Sequence, residues 1–351
     1  MKKISEFIWP IIGIGALVVS GYLLYRELQG LSIADVEESL RAIPAHRFLL
    51  AALSTLVAYA ALAWYDRIAL LHLGIRHISW FFVSVCSFTT YALSHNIGAS
   101  VFSGAVVRYR AYTAKGLSAA QVAVLVALCS FTFGLGTILL GGATLALKPD
   151  LLTRLEGHLP GVLTNPTTAF VLGLALLGAV GLYVVGSLLH LKPLHIRSFK
   201  LEYPRPNIMG RQLVAAPLEL LGAAGIIYFA LPEAGNPGFL VVLAVFLASF
   251  SAALVSHAPG GLGVFELIFV LAMPEVARPQ VIAALLVFRI FYFWLPFVLS
   301  VIVVILYERS RLAEAFKRRG HVAAAPPPEP PLVAPGLDSH KIEHRLEKKA
   351  V

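Results

Sequence analysis

Val255-Ser256-His257-Ala258-Pro259-Gly260-Gly261-Leu262-Gly263-Val264-Phe265-Glu266 separates two apolar runs, residues 239–254 and 267–273. A histidine, a proline, three glycines and a carboxylate thus stand where a hydrocarbon core should tolerate none of them. A backbone interrupted at membrane depth survives only where protein or a water-filled cavity satisfies its freed N–H and C=O groups. The stretch is therefore both a break in a helix and a candidate site.

Composition sets the class. The chain has 351 residues, 58% of them hydrophobic and only 13% charged, about half the charge of an average soluble protein. Several apolar runs reach the roughly 20 residues a helix needs to cross a bilayer, and no period-2 alternation suggests an outer-membrane barrel. The expected fold is an all-α integral membrane protein with about six full transmembrane helices. A net charge of +9 follows the cytoplasmic excess of Lys and Arg in membrane proteins, so nucleic acid is not expected as a partner. Cys86 and Cys129 both fall inside apolar runs; they read as buried thiols, with neither a disulfide framework nor a metal site.

Outward from the opening stretch, charge decides how the spans are placed. Residues 7–25 follow Lys2 and Lys3, are too long for a signal-peptide core, and read as a retained span. Residues 26–47 carry Ile33, Val36, Leu40 and Ile43 at helical spacing, as in a short surface helix. Further spans are expected over 48–71, 119–147, 167–190, 212–231 and 281–307, with Ser118 capping the one at 119–147. The run 78–107, interrupted around His95 to Gly98, ends in Arg108-Tyr109-Arg110. A single crossing would put those arginines outside, against the positive-inside rule, whereas a re-entrant hairpin keeps them in the cytoplasm. By the same rule the basic end at Arg309 to Arg319 requires 239–273 to be a second hairpin, entering from outside. Two hairpins of opposite polarity mark an inverted repeat, which in transporters places the site at the midplane between broken helices. The membrane domain is assigned to 1–310, with both termini cytoplasmic. Residues 311–351, basic and then Pro-rich, read as a disordered tail.

Ionisable residues inside spans are functional candidates because burying them in lipid is costly. Glu219 sits deep in its span, where it either fixes packing or acts on a substrate. Arg289, flanked by aromatics, suits a partner to Glu219 or Glu266 and equally a phosphate clamp. Glu266 begins a half-helix and suits its dipole. His257 is a pH-sensitive group or a polar lid. Gly260, Gly261 and Gly263 permit a sharp turn or a close approach to phosphate. Arg108 and Arg110 read as lipid-phosphate ligands or as topology anchors, and Asp66 as a site residue or a partner of Arg67.

Several motifs together resemble the lysylphosphatidylglycerol synthase transmembrane domain family, which includes the flippase half of the multiple peptide resistance factor. His257-Ala258-Pro259-Gly260-Gly261-Leu262-Gly263-Val264-Phe265-Glu266 resembles its H-x-P-G-G-L-G-V-F-E motif, and Arg108-Tyr109-Arg110 with Gly116-Leu117-Ser118 its R-Y-R…G-L-S segment. Tyr65-Asp66 and Pro217-Leu218-Glu219 are similar to two further signature positions. The resemblance implies a lipid-translocating domain of the inner membrane and favours function for Asp66, Arg108, Arg110, Glu219 and Glu266. Two-part members carry a soluble synthase domain after the membrane part; here a Pro-rich tail stands in its place, so aminoacylation by this chain alone is not expected.

The leading expectation is a flippase for a lipid with a phosphate-bearing head group, without cofactor or metal. The alternative is a membrane subunit or scaffold of a lipid- or glycolipid-modifying enzyme. A phospholipid or lipid-linked substrate is the expected partner. A separate synthase or glycosyltransferase, and self-association, stay open.

Overall fold

Helix α1, Ile33–Arg41, begins with a capping box in which Ser32 and Asp35 exchange side-chain and backbone hydrogen bonds. None of its residues is buried, as suits a helix lying at a bundle end. Next come α2, Ala45–His72, α3, Trp80–Ile97, and α4, Ser100–Thr113. Helix α5, Ala119–Leu147, starts on a capping box between Ser118 and Gln121, which confirms the expected cap. A 3₁₀ segment, Pro149–Leu155, leads to α6, Pro166–Leu188, capped by Asn165 with Pro166 in its first turn. The computed structural model describes residues 18, 21–26, 29, 32–97, 100–157, 160–189, 194–196, 199–201, 204–256, 258–306 and 309.

The basic loop after α6 holds a short antiparallel ribbon, β1 (Leu194–Ile196) with β2 (Phe199–Leu201), a departure from a purely helical reading. Helices α7, Pro206–Ala230, α8, Phe239–Ser256, and α9, Val264–Ala272, follow. Helix α10, Arg278–Phe288, passes into a π-helical turn, Arg289–Trp294, and the helix continues to Leu306.

Six described helices are long and apolar enough to cross a bilayer: Ala45–His72, Ala119–Leu147, Pro166–Leu188, Pro206–Ala230, Phe239–Ser256 and Arg278–Leu306. Their outward faces keep large apolar side chains exposed, among them Leu53 and Leu56 on α2 and Leu174 and Leu182 on α6. Such faces are stable in hydrocarbon, which solvates them. The chain is an all-α integral membrane protein. Of the expected span at 7–25 only residues 18 and 21–25 are described, all helical; the expected tail from 311 lies outside the described residues. The described residues up to Val303 form one compact unit.

Helix packing relies on small residues. A Cβ on Gly222 would lie 2.8 Å from the backbone nitrogen of Ala58, so α7 and α2 touch backbone to backbone. At Gly173 the added atom would meet the nitrogen of Ala146 at 2.7 Å, joining α6 to α5. Lipid tails are as apolar as leucine, so close van der Waals contact and not water exclusion holds such helices together.

Both interrupted runs fold back on themselves. In the first, Gly104 on α4 packs against Ser94 and Thr90 of α3, where a Cβ would come within 2.5 Å and 3.0 Å of their side chains. In the second, the rings of Phe246 on α8 and Phe265 on α9 lie 6.0 Å apart. The roots of the hairpins sit at opposite ends of α5. Near its start, Arg67 donates to the carbonyl of Ile78 (2.8 Å) and covers the Trp80 ring, while Lys115 lies over Phe82. Beyond its end, Arg154 pairs with Glu275 at 2.7 Å and donates to the carbonyl of Ala272. Helix α4 continues past the apolar run, through Arg108 and Arg110 to Thr113. A helix can carry Arg108 into the core because its charge is matched there.

Candidate functional site

The hairpin tips meet inside the bundle. A Cβ on Gly260 would stand 4.0 Å from the carbonyl oxygen of His95. Asn96, one residue from the end of α3, donates to the carbonyls of Ala92 (2.8 Å) and of Phe293 (3.1 Å) in the last helix. Arg289 donates to the carbonyl of Gly260 at 3.3 Å. The break in the second run is built by glycine: Gly260, Gly261 and Gly263 take φ of +60°, +66° and +81°, a region costly for residues with a Cβ. His257 lies outside the described residues.

Three carboxylates are buried in the bundle: Glu219 and Glu266 beside this meeting point, and Asp66 toward the root of the first hairpin. Asp66, on α2, is fully buried and is gripped by Arg108 through two hydrogen bonds, Nε to Oδ2 at 3.2 Å and Nη2 to Oδ1 at 2.6 Å. Tyr112, one turn beyond Arg108 on the same face of α4, donates to Oδ2 at 2.9 Å. The Cys129 thiol approaches Oδ1 at 3.4 Å, and the Tyr91 ring lies 4.8 Å from the Arg108 guanidinium. The i,i+4 spacing of Arg108 and Tyr112 puts both on one carboxylate. Arg110, two positions on and so about 200° around the helix at ~100° per residue, is exposed. Of the pair read together in the sequence, only Arg108 enters the core. Asp66 pairs with it and not with Arg67.

Glu266 lies in the first turn of α9. Its Oε2 accepts the N–H of Gly263 at 2.9 Å, capping the half-helix, while Oε1 takes the Nε of Arg289 at 2.5 Å and also contacts Nη2. Capping and charge pairing are thus made by the same side chain. Arg289 selects Glu266 of its two expected partners.

Glu219, near the middle of α7 and 2% exposed, is arranged differently. Tyr292 donates to its Oε1 at 2.5 Å, and its Oε2 has no hydrogen-bond partner among the described residues. Tyr59 and Tyr65 of α2 flank it, with their hydroxyls turned to the carbonyls of Tyr292 (2.9 Å) and Ala216 (3.1 Å). The His95 ring stacks on Tyr292 with centroids 5.2 Å apart, and its Nδ1 is buried without a partner among the described residues.

Sequence reasoning missed the π turn and the tyrosines. A π-helical backbone displaces carbonyls from the ordinary ladder and recurs at functional sites. Here two of them, on Tyr292 and Phe293, are satisfied from outside by Tyr59 and Asn96. The available signal was polar spacing within apolar runs: Tyr91 with His95, Arg108 with Tyr112 and Arg289 with Tyr292 each stand three or four residues apart.

Chemically, each arginine offers a planar fork of donors that fits a phosphate as well as a carboxylate. In this structure both arginines are closed on carboxylates, Arg108 on Asp66 and Arg289 on Glu266. No group of three or more His, Cys, Asp and Glu able to hold a metal occurs among the described residues.

Apolar outer faces, a charged core and broken helices meeting tip to tip define a polytopic membrane protein with a buried polar site. Residues 12–300 match the family described as the lysylphosphatidylglycerol synthase TM region, and the chain belongs to it. It is 30% identical to the uncharacterized protein slr0712 of Synechocystis, over 84% of this chain and 90% of that one. It is 29% identical to the inner membrane protein YbhN of Escherichia coli, over 72% of this chain and 77% of that one. A shorter stretch, 24% of this chain and 10% of the relative, is 33% identical to the phosphatidylglycerol lysyltransferase of Bacillus subtilis.

Proposed function

We propose that this protein is a lipid translocase of the inner membrane, moving a phosphate-bearing head group between leaflets through the region where the hairpin tips meet. The observation that carries the reading is a series of buried charges along two hairpins rooted at opposite bundle ends, with Glu266–Arg289 and Glu219 at the meeting tips and Asp66–Arg108 toward the root of the first. Membership of a family named for a lipid synthase supports lipid as the substrate class, and a relative named as an inner membrane protein supports the location.

In this reading the two bundle ends are the two membrane faces, and both hairpins are re-entrant. The end bearing Arg67, Arg110 and Lys115 faces the cytoplasm, in keeping with the positive-inside rule. Both termini then lie on that side. Arg110, exposed near the root of the first hairpin, meets the head group first. The phosphate exchanges with Asp66 on Arg108 from one side and with Glu266 on Arg289 from the other, so each guanidinium always has an anion. The three glycines let the second tip bend as Arg289 changes partner. Acyl chains stay in lipid, and an apolar cavity of about 290 Å³ between α5, α6, α8 and α9, lined by Ile138, Leu145, Leu176 and Ile268 among others, suits one of them.

Purified protein in liposomes carrying fluorescent phospholipids tests this by the fraction of label bleached with dithionite over time. Wild type is expected to accelerate bleaching of inner-leaflet label, with Arg289→Gln and Glu219→Gln slowed. Wild type and both variants at the protein-free rate, for lipids with anionic and with zwitterionic head groups, would refute it.

A further inference from the structure

Of the three core carboxylates, Asp66 and Glu266 each face an arginine, whereas Glu219 faces none among the described residues. Its surroundings can be named element by element. Helix α2 presents Tyr59 and Tyr65, and the last helix presents Tyr292. Helix α3 contributes His95, stacked behind Tyr292. Helix α5 brings Cys129, engaged with Asp66, and α6 brings Tyr183, which donates to Gln212. Helix α8 has no charged residue at all. Arg108 and Arg289 are occupied by their own carboxylates.

An isolated carboxylate in a low-dielectric interior is far more costly to bury charged than as the neutral acid. A structure that keeps such a group, matches both of its neighbours and leaves one of its oxygens without a partner has built a place for a small cation. A metal ion needs about six oxygen ligands if it is hard. Here the Tyr59 and Tyr65 hydroxyls are committed to backbone carbonyls, leaving the carboxylate and the Tyr292 hydroxyl. A proton needs one free oxygen, and Glu219 Oε2 is that oxygen.

We infer that Glu219 is a proton-binding site coupled to the hairpin tips, and that protons are the ion whose uptake and release accompany lipid movement. On protonation the carboxylate gains one O–H bond at Oε2 while Oε1 keeps the hydrogen bond from Tyr292, and the site gains one positive charge. The proton arrives by way of His95. Its buried Nδ1 is unpartnered, its ring lies against Tyr292, and its carbonyl lies beside Gly260 of the second tip. Parting of the tips opens the Glu219 region at His95, so access to the proton and movement of the second hairpin are one event. The coupling half of this inference rests on the translocase reading; the proton site does not.

The test begins without transport. Infrared difference spectra of the full chain in lipid nanodiscs are recorded as pH is stepped from acid to alkaline. A carboxylic-acid C=O band is expected to fall as carboxylate bands rise. That band is lost in Glu219→Gln, shifts in frequency in Tyr292→Phe, and is kept in Glu219→Asp. The same titrating band in Glu219→Gln, or no titrating carboxyl band in wild type, overturns the proton site. In proteoliposomes, an imposed pH gradient should change the lipid translocation rate of wild type several-fold and leave Glu219→Gln unaffected. Equal wild-type rates with and without the gradient overturn the coupling. Absence of lipid movement in every arm overturns the translocase reading and the coupling together, while the infrared result still decides the site.

Discussion

Tyr292 donates its hydroxyl hydrogen to Oε1 of Glu219 across 2.5 Å, tying the π turn of the last helix to the middle of α7. The same tyrosine accepts at its carbonyl from Tyr59 and stacks on His95. One residue therefore links α2, α7, the last helix and the tip of the first hairpin. Tyr292→Phe removes only the hydroxyl and leaves the carboxylate more poorly satisfied. A loss of about 1–3 kcal/mol is expected, read as a lower thermal unfolding midpoint in detergent, and Tyr59→Phe, which takes the donor from the buried Tyr292 carbonyl, should lower the midpoint as well.

The Asp66–Arg108 pair should behave as a unit. Removing one member leaves an uncompensated buried charge, which costs about 3–5 kcal/mol, whereas replacing both by apolar residues of similar volume can be near neutral. Arg108→Met and Asp66→Leu should each lower the unfolding midpoint strongly, and the double variant should recover most of it. Tyr112 and Cys129 also lose their acceptor in the double variant, so a double variant as unstable as the sum of the singles would show that these bonds, and not the ion pair alone, hold the site.

Helix contacts at glycine can be tested by contrast. Gly222→Ala places a methyl 2.8 Å from the Ala58 nitrogen, with backbone on both sides unable to yield; about 1–3 kcal/mol should be lost to overpacking. Gly134→Ala, in open space on α5, should be neutral or gain about 0.5–1 kcal/mol from helix propensity. Thermal shifts of opposite sign are the expected readout.

At the tip of the second hairpin, Gly261→Ala combines a φ of +66° with a contact of 2.8 Å to the Ala253 methyl. Left-handed backbone alone costs a residue with a Cβ about 1–2 kcal/mol. The substitution should increase protease cleavage near residue 261, an effect that Gly210→Ala, with open space around it, should not reproduce.

At the bundle end, the hydrogen bond from Arg154 is the main cause holding the Glu275 carboxyl below its ordinary range. A depressed value means that the pair's stabilisation is present above the unfolded pKa, about 4.3, and is lost as pH falls through the folded one. Glu275 is partly exposed, so solvent and salt screen the pair and the effect is at most about 0.5 kcal/mol. Unfolding midpoints of wild type and Glu275→Gln should differ near neutral pH and converge in acid.

The class of this protein was legible in its sequence because hydrocarbon imposes one-dimensional rules. Runs of apolar residues have to be long enough to span, basic residues bias the cytoplasmic side, and a backbone break at His257 to Gly263 has to be satisfied by protein. The Ser118 cap and the identities of Asp66, Arg108, Glu219, Glu266 and Arg289 as core groups could be read for the same reason: each is a polar residue at a place where polarity is costly. Partnership was not legible. Asp66 sits next to Arg67 in the chain and pairs with Arg108, while Arg108 and Arg110 share a motif and point to different surroundings, because a helix turns about 100° per residue and only packing decides which neighbour lies across. The opening stretch shows the same division. Its glycines announced a bend, and Glu266 suited a half-helix start, but the contact of that bend with His95, the choice of Glu266 by Arg289, and the isolation of Glu219 arise where distant segments meet, and only the tertiary structure decided them.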